Sequence, residues 1–531
     1  MRQLSKLIFL FLVSSLFAQS PDFYNVLDYK LDDTGQKVNT EKFQKLIDQV
    51  SQKGGTIYFP AGKYLTGSVE LKSNVEIYLS KGSEILGSTS LSDYAPHKPK
   101  LQSYNDYFLL YSLFYAERAE NISIRGEGTI NGQGSAFKVK SDKKPEKYKD
   151  RPFIIRFVEC RNVHIEGIFM TSSAMWMQQY LACEDLFISK INVYNHANKN
   201  NDMMDIDGCK NVIISDCLGD TDDDGITLKS TSPKITENIV IKNCIISSHC
   251  NALKTGTEST GGFKNIVVSN LVVKPSRSET LQSGNREGTC GINISTVDGG
   301  IVDGILVSDV IIDGPKVPIY LRLGNRARRY NDNAPEPQVG TYRNVKLSNI
   351  IAKNAGAIGC SISGIPGHPV ENVSLNNISV SYIGGGTSTD RANPMPELEN
   401  QYPESTMWGN LPSYGFYLRH AKGVELNNIR LSFEKSDSRP ALEIVDASDI
   451  KLRNLEAKIS PEAQSLLSVE NGNNISIENS CAIGNTNSFI SVNDETSGSL
   501  ILIQNDLRNF KSPIMEKKQG QIVSFNNLGL E

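Results

Sequence analysis

The chain has 531 residues, a net charge of −4 and a pI of about 6.0. That length fits two or three compact domains of roughly 150 residues, or one elongated repeat structure. The charge balance gives no electrostatic case for nucleic acid or an anionic membrane surface as partner. With 42 glycines, only 8% aromatic residues and many short Val/Ile runs, the chain reads as all-β and rich in turns.

The first twenty residues, MRQLSKLIFLFLVSSLFAQS, have the layout of a secretory signal. Arg2 and Lys6 form a basic start, Leu7 to Val13 an apolar core, and Leu16-Phe17-Ala18 a cleavage site. We therefore expect residues 1–19 to be a signal peptide and the mature protein to be secreted or periplasmic. The apolar run is shorter than the ~20 residues a membrane span needs, and no second such run follows. Residues 20–56 read as an N-terminal cap. Within it, residues 40–53 predict a helix, because Phe43, Leu46, Ile47 and Val50 share one face. Asn39 or Thr40 would cap its start, and Gly54-Gly55 would end it.

From residue 57 to 531 a short pattern recurs: Asn, Asp or Gly, then apolar–any–apolar. Its first positions are Asn74, Asn121, Asn162, Asp185, Asn211, Asn238, Asn265, Gly304, Asn344, Asn372, Gly423, Asp449 and Asn474. The steps from 162 to 185, 211, 238 and 265 are 23, 26, 27 and 27 residues. A period in the twenties with alternating apolar residues means a solenoid of strands. No single repeat can bury a core, so coils must stack, and a parallel β-helix satisfies this. The Asn fits a turn position, where the left-handed conformation is tolerated. Cys160, Cys183 and Cys209 each stand two residues before a repeat start and predict an interior stack. There are nine cysteines and no C-x-x-C pair, which argues against a zinc ribbon or thioredoxin-like site and leaves an extracellular disulfide framework open. Segments 313–340 and 383–413 read as long loops.

The segment NNDMMDIDGCKNVIISDCLGDTDDDGITLKS (200–230) has two acidic groups, Asp202, Asp205 and Asp207 and then Asp220, Asp222, Asp223 and Asp224, around a strand. Residues one coil apart become spatial neighbours in a β-helix. Asp202 and Asp223 differ by 21, so they should stack, with Asp224 beside them. Such a cluster cannot stay fully ionised without cost, and splitting its pKa values separates an acid from a base. Glycoside hydrolysis needs that division. A solvated Asp-rich turn is the plainer alternative. A calcium site is another, although the segment lacks an EF-hand loop pattern.

The segment resembles glycoside hydrolase family 28, the polygalacturonases. Asn200-Asn201-Asp202 matches that family's Asn-Thr-Asp with one change, and Asp223-Asp224 matches its Asp-Asp. FPAGKYLTGSVELKSNVEIYL (59–79), GEGTINGQG (126–134) and RPFIIRFVECRNVHIEG (151–167) look like its early coils. The resemblance implies a right-handed parallel β-helix and an inverting mechanism. It implies Asp223 as general acid, with Asp202 and Asp224 holding the attacking water, and Asn200 in the substrate groove. The later motifs depart. His249 is a catalytic candidate for the family's His-Gly, but aligning Gly256-Thr257 puts Asn251 there instead. The family's Arg-Ile-Lys, which binds the substrate carboxylate, is replaced by Asn293-Ile294-Ser295. Lys254, set by spacing one coil beyond Lys229, then becomes a candidate cation, as do Arg322 and Arg326, since Arg suits a carboxylate.

The reading is thus a secreted glycosidase acting on an acidic, uronate-containing polysaccharide or its oligomers. We expect it to need no metal or organic cofactor, to bind neither nucleic acid nor membrane, and to be a monomer. Elimination by a lyase or dehydratase is the alternative, with Lys229, His249 and Lys254 available as base or cation. A non-catalytic glycan-binding β-helix is the lesser one. Inserts 95–110, 134–152 and 383–413 would close one end of the groove and favour attack at chain ends.

Overall fold

The computed structural model describes residues 22–105, 108–392, 395–493, 499–516 and 522–529. The expected signal segment lies outside the described residues. Among those, no helix is long and apolar enough to cross a membrane.

The chain winds as a right-handed parallel β-helix, and the 37 strands among the described residues form one continuous system of parallel pairs. The fold class read from the sequence is borne out. Pairing follows the repeat: Val163 pairs with Leu186, Leu186 with Val212, Val212 with Ile239 and Ile239 with Ile266. All thirteen repeat starts have positive φ, from Asn162 at 51° to Gly304 at 76°. These residues turn the chain between strands, and only Gly, Asn and Asp do so at low strain. The Asn side chains also bond to one another up the helix, Asn265 Nδ2 to Asn238 Oδ1 at 3.1 Å and Asn238 Nδ2 to Asn211 Oδ1 at 3.2 Å.

This ladder predicts a stability effect. Asn238→Ala removes two side-chain hydrogen bonds and leaves a Cβ residue without a local partner at φ 60°. A loss of about 1–3 kcal/mol is expected. Asn238→Gly should recover the conformational part only. Thermal unfolding of both variants checks this, and an unchanged melting temperature for Asn238→Ala would show the ladder to be ornamental.

The N-terminal helix spans Thr40–Val50, and Phe43, Leu46, Ile47 and Val50 are its buried face. It ends three residues earlier than the pattern predicted; 51–53 form a turn, and Gly54 at φ 80° closes it. Neither expected capping side chain caps. Asn39 Oδ1 instead accepts from the Asp32 amide at 2.7 Å, and Thr40 Oγ1 accepts from the Gly67 amide at 2.7 Å. The first ties the helix to the segment before it, the second to the first coil. Phe43 packs edge-on against Phe59 at 5.1 Å, which lays the helix over the open end of the core.

Cys160, Cys183 and Cys209 are buried in the interior, and all nine cysteines are free thiols. The expected loop 313–340 is interrupted by the strand Val317–Leu323, so the free run begins at 324. Its Val-Pro-Ile-Tyr-Leu run is fully buried, which outweighs the proline and glycine around it. Of the segment 383–413, the first two residues end the strand Val370–Gly384, and the other described residues are loop apart from the short helix Ser388–Ala392.

Candidate active site

One strand stack carries the acids: Gln178–Leu181, Met204–Asp207, Ile226–Ser230, Asn251–Ser259 and Cys290–Thr296. Its inward residues, such as Ile206, Leu228 and Leu253, are core. Its outward residues, Asp205, Asp207, Lys229, Lys254 and Asn293, are charged or polar yet buried. Loops roof them. Phe108 stacks on Tyr148 at 5.6 Å, joining inserts 95–110 and 134–152 in one apolar cluster with Trp176. Tyr402, from the 383–413 insert, reaches Lys254, with its hydroxyl 3.1 Å from Nζ.

The register corrects the spacing argument. Met204 pairs with Ile226, a step of 22, so Asp202 is level with Asp224 rather than Asp223. Asp223 is met by Asn200, whose Nδ2 donates to Asp223 Oδ2 at 3.3 Å; Arg151 Nη1 holds Asn200 Oδ1 at 3.4 Å. Lys254 pairs with Thr227, not Lys229, because the step there is 27. Beyond it the strand bulges, and Ser230 pairs with Ser259.

Three carboxyls therefore converge with different protonation. Asp223 is half-buried, and burial followed by the neighbouring Asp224 charge pushes it up to about 6. Asp202 is buried, and burial, Asp205, Asp223 and Asp224 push it well above the usual range. Asp224 goes the other way: burial would raise it, but Lys254 and Lys229 outweigh burial and hold it below the usual value. Lys254 Nζ sits 2.7 Å from Asp224 Oδ2, while Asn251 donates to Asp224 Oδ1 from Nδ2 at 2.6 Å and from its amide at 3.1 Å.

Several predicted site residues lie elsewhere. His249 is fully buried, its Nδ1 3.1 Å from Asp222 Oδ1, and so is not a groove residue. Asn251 faces the acid cluster, as the Gly256-Thr257 alignment suggested. Asn293 is also fully buried and donates from Nδ2 to Asn251 Oδ1 at 3.1 Å, so it supports Asn251 rather than lining the groove. Arg322 is 1% exposed, and its guanidinium is taken by the carbonyls of Gly364 at 2.9 Å and Glu397 at 2.8 Å and lies over Trp408. Arg326 is paired with Asp298 at 2.5 Å. Neither arginine is a free carboxylate partner.

A cationic cluster that the spacing argument did not find lies next to the acids. Glu258 is paired with Lys229 at 3.3 Å and Arg328 at 2.7 Å. Although burial opposes it, Lys229, Arg328, Lys144 and Arg326 hold Glu258 well below the carboxylate range. Lys144 is exposed and makes no ion pair among the described residues; its ammonium lies over the Tyr148 ring, 5.0 Å from the centroid. Burial of its ammonium pushes it down to about 8; Glu258 opposes the shift, and Arg328, Lys229 and Arg326 add to it. No repeat or motif marks Lys144, which comes from an insert.

The family model "Glycosyl hydrolases family 28" matches residues 52–401. A probable polygalacturonase of Vitis vinifera is 24% identical over 413 residues, covering 71% of this chain and 81% of that protein. An exopolygalacturonase of Platanus acerifolia is 24% identical over 379 residues, covering 69% and 92%. Among solved structures, the family 28 exopolygalacturonase of Yersinia enterocolitica superposes with a TM-score of 0.60 at 17% identity, covering 82% of this chain and 78% of that one. The exopolygalacturonase of Thermotoga maritima gives 0.56 at 22%, covering 68% and 89%. With the family match running through the coils that hold Asp202, Asp223 and Asp224, this chain belongs to glycoside hydrolase family 28.

Proposed function

We propose that the protein is an exported, inverting glycosidase that hydrolyses polygalacturonan-type chains from one end. The observation that carries this is the adjacent pair Asp223 and Asp224, one pushed up to about 6 and the other held ionised by Lys254. Asp223 protonates the leaving oxygen and Asp224 takes the proton of the attacking water. Asp202 favours its neutral form, so it orients that water as a hydrogen-bond donor and does not share the base role. The joined inserts around Tyr148 and the Tyr402 loop favour a closed groove end. The exopolygalacturonases among the relatives agree with that reading.

The test is product analysis with galacturonan oligosaccharides. Saturated products that gain one water, with the new reducing end inverted by NMR, are expected. Unsaturated uronate absorbing in the near ultraviolet would mean elimination and overturn the assignment.

Lys144, with Arg328 behind it, is the proposed carboxylate partner. Lys144→Met should weaken binding of acidic oligosaccharides by roughly 1.5–3 kcal/mol, read as a higher KM, and leave a carboxyl-reduced substrate unaffected. In the wild type, the same KM should rise as pH passes about 8, because the free ammonium is lost there. An equal effect on both substrates would remove Lys144 from that role.

A further inference from the structure

We infer that His196, Asp222 and His249 form a binding site for a divalent transition-metal ion of the zinc class, built into the coil wall behind the acid cluster. The strands Asn192–Asn195, Leu218–Thr221 and Thr236–Ser248 end on one rung, where Asn195 pairs with Thr221 and Thr221 with Ser248. The next residue in each is His196, Asp222 and His249. Neighbouring coils lie about 4.8 Å apart, so the three residues follow one another on consecutive coils as His–Asp–His, and the two imidazoles lean toward each other across the middle coil. All are buried, at 9%, 0% and 0% exposure. One donor atom of each lies within 4.8 Å of the others, and the two imidazole centroids are 4.8 Å apart.

The second observation is which atoms are spare. His196 Nδ1, Asp222 Oδ2 and His249 Nε2 are buried without a hydrogen-bond partner among the described residues. Each of the three residues thus contributes one unpartnered buried atom to the same cluster, which a bound ion would satisfy. The opposite atoms are occupied. His196 Nε2 lies 2.9 Å from Asp220 Oδ1, and Asp222 Oδ1 accepts from the Gln282 amide at 2.8 Å and faces His249 Nδ1 at 3.1 Å. The Asp220 carboxylate behind the His196 imidazole is the arrangement that orients a metal-bound histidine. Two nitrogens and a carboxylate suit zinc, whereas calcium and magnesium prefer oxygen donors. Donors around a tetrahedral zinc stand about 3.3 Å apart, so donor atoms within 4.8 Å of one another must close by up to about 1.5 Å, and Asp222 must turn from His249 Nδ1 toward the ion.

The ion would clamp three coils directly behind the general acid. Asp222 precedes Asp223, whose carbonyl accepts from Thr221 Oγ1 at 2.9 Å and Ser248 Oγ at 2.6 Å on the same rung. The 276–285 loop closes over the cluster through Ser276, Arg277 and Gln282, so the ion enters during folding or on opening of that loop.

The protein should be produced in zinc-supplemented medium, passed over a chelating resin and analysed for metal. One zinc per chain is expected in the wild type. Cobalt supplied in place of zinc should give the visible d–d bands of a low-coordinate ion. His196→Gln and His249→Gln should each lose the bound metal while keeping the wild-type far-ultraviolet spectrum, and a His368→Gln control should keep it. Metal-free wild type with no zinc-induced rise in melting temperature would overturn the site. So would stoichiometric metal in both His196→Gln and His249→Gln.

Discussion

Asp223→Asn should lower kcat by about 10²–10⁴ and leave the fold intact. The substitution keeps shape and removes the proton. The pH behaviour separates this from a structural defect. Asp223 titrates at about 6 in the folded protein, so wild-type activity should fall as pH rises through about 6, where the acid is lost. That limb should be absent from the residual activity of the variant. The same shift has a stability consequence. A carboxyl raised by folding favours the folded state only while it holds its proton, and that contribution is lost as pH rises from the ordinary value of 3.8 to about 6. At pH 7 the wild type therefore carries an Asp223–Asp224 repulsion that Asn removes. The melting temperature of the variant should equal or exceed that of the wild type there. Near-wild-type activity would sink the acid assignment. A lost activity with a lower melting temperature at pH 7 would mark Asp223 as a structural residue.

The sequence carried the coil architecture because each coil repeats one physical requirement, a left-handed turn before an apolar–any–apolar strand. Asn211, Asn238 and Asn265 meet it, and their pairing steps equal their sequence spacings. Asp223 and Asp224 were legible for a related reason, since neighbours in sequence stay neighbours in space. What spacing could not give was register through irregular coils. A step of 22 instead of 21 puts Asp202 beside Asp224, and a step of 27 instead of 25 sets Lys254 beside Thr227 rather than Lys229. His249 failed as a groove residue because the rung assigns it to Asp222, one residue before the acid. Lys144, Arg328 and Tyr402 come from inserts, whose contacts depend on loop packing and leave no periodic trace.

Lys254→Met should reduce kcat on the order of 10²-fold and move the acidic limb of the pH profile upward. Spacing alone made Lys254 a partner for the substrate carboxylate. In the structure its Nζ is already 2.7 Å from Asp224 Oδ2, and the residue is 3% exposed. Without it, Asp224 stays buried beside Asp202, Asp205 and Asp223 with Lys229 as its remaining counter-charge, and its pKa rises. The base must be ionised, so activity is lost at a higher pH on the acid side while Asp223 still sets the limit near 6 on the other. The active window closes from below. Stability follows the same logic. Asp224 is depressed by folding, so it stabilises the wild type above the ordinary carboxylate pKa, and this is lost as pH falls through its lowered value. Breaking the buried pair should cost about 3–5 kcal/mol at neutral pH. That difference should shrink as pH falls and Asp224 is protonated. Melting temperatures of both proteins across the acid range, beside kcat and KM on acidic and carboxyl-reduced substrates, decide between the roles. A KM increase confined to the acidic substrate, with kcat and the acid limb unmoved, would return Lys254 to carboxylate binding and leave Asp224 to Lys229 and Asn251.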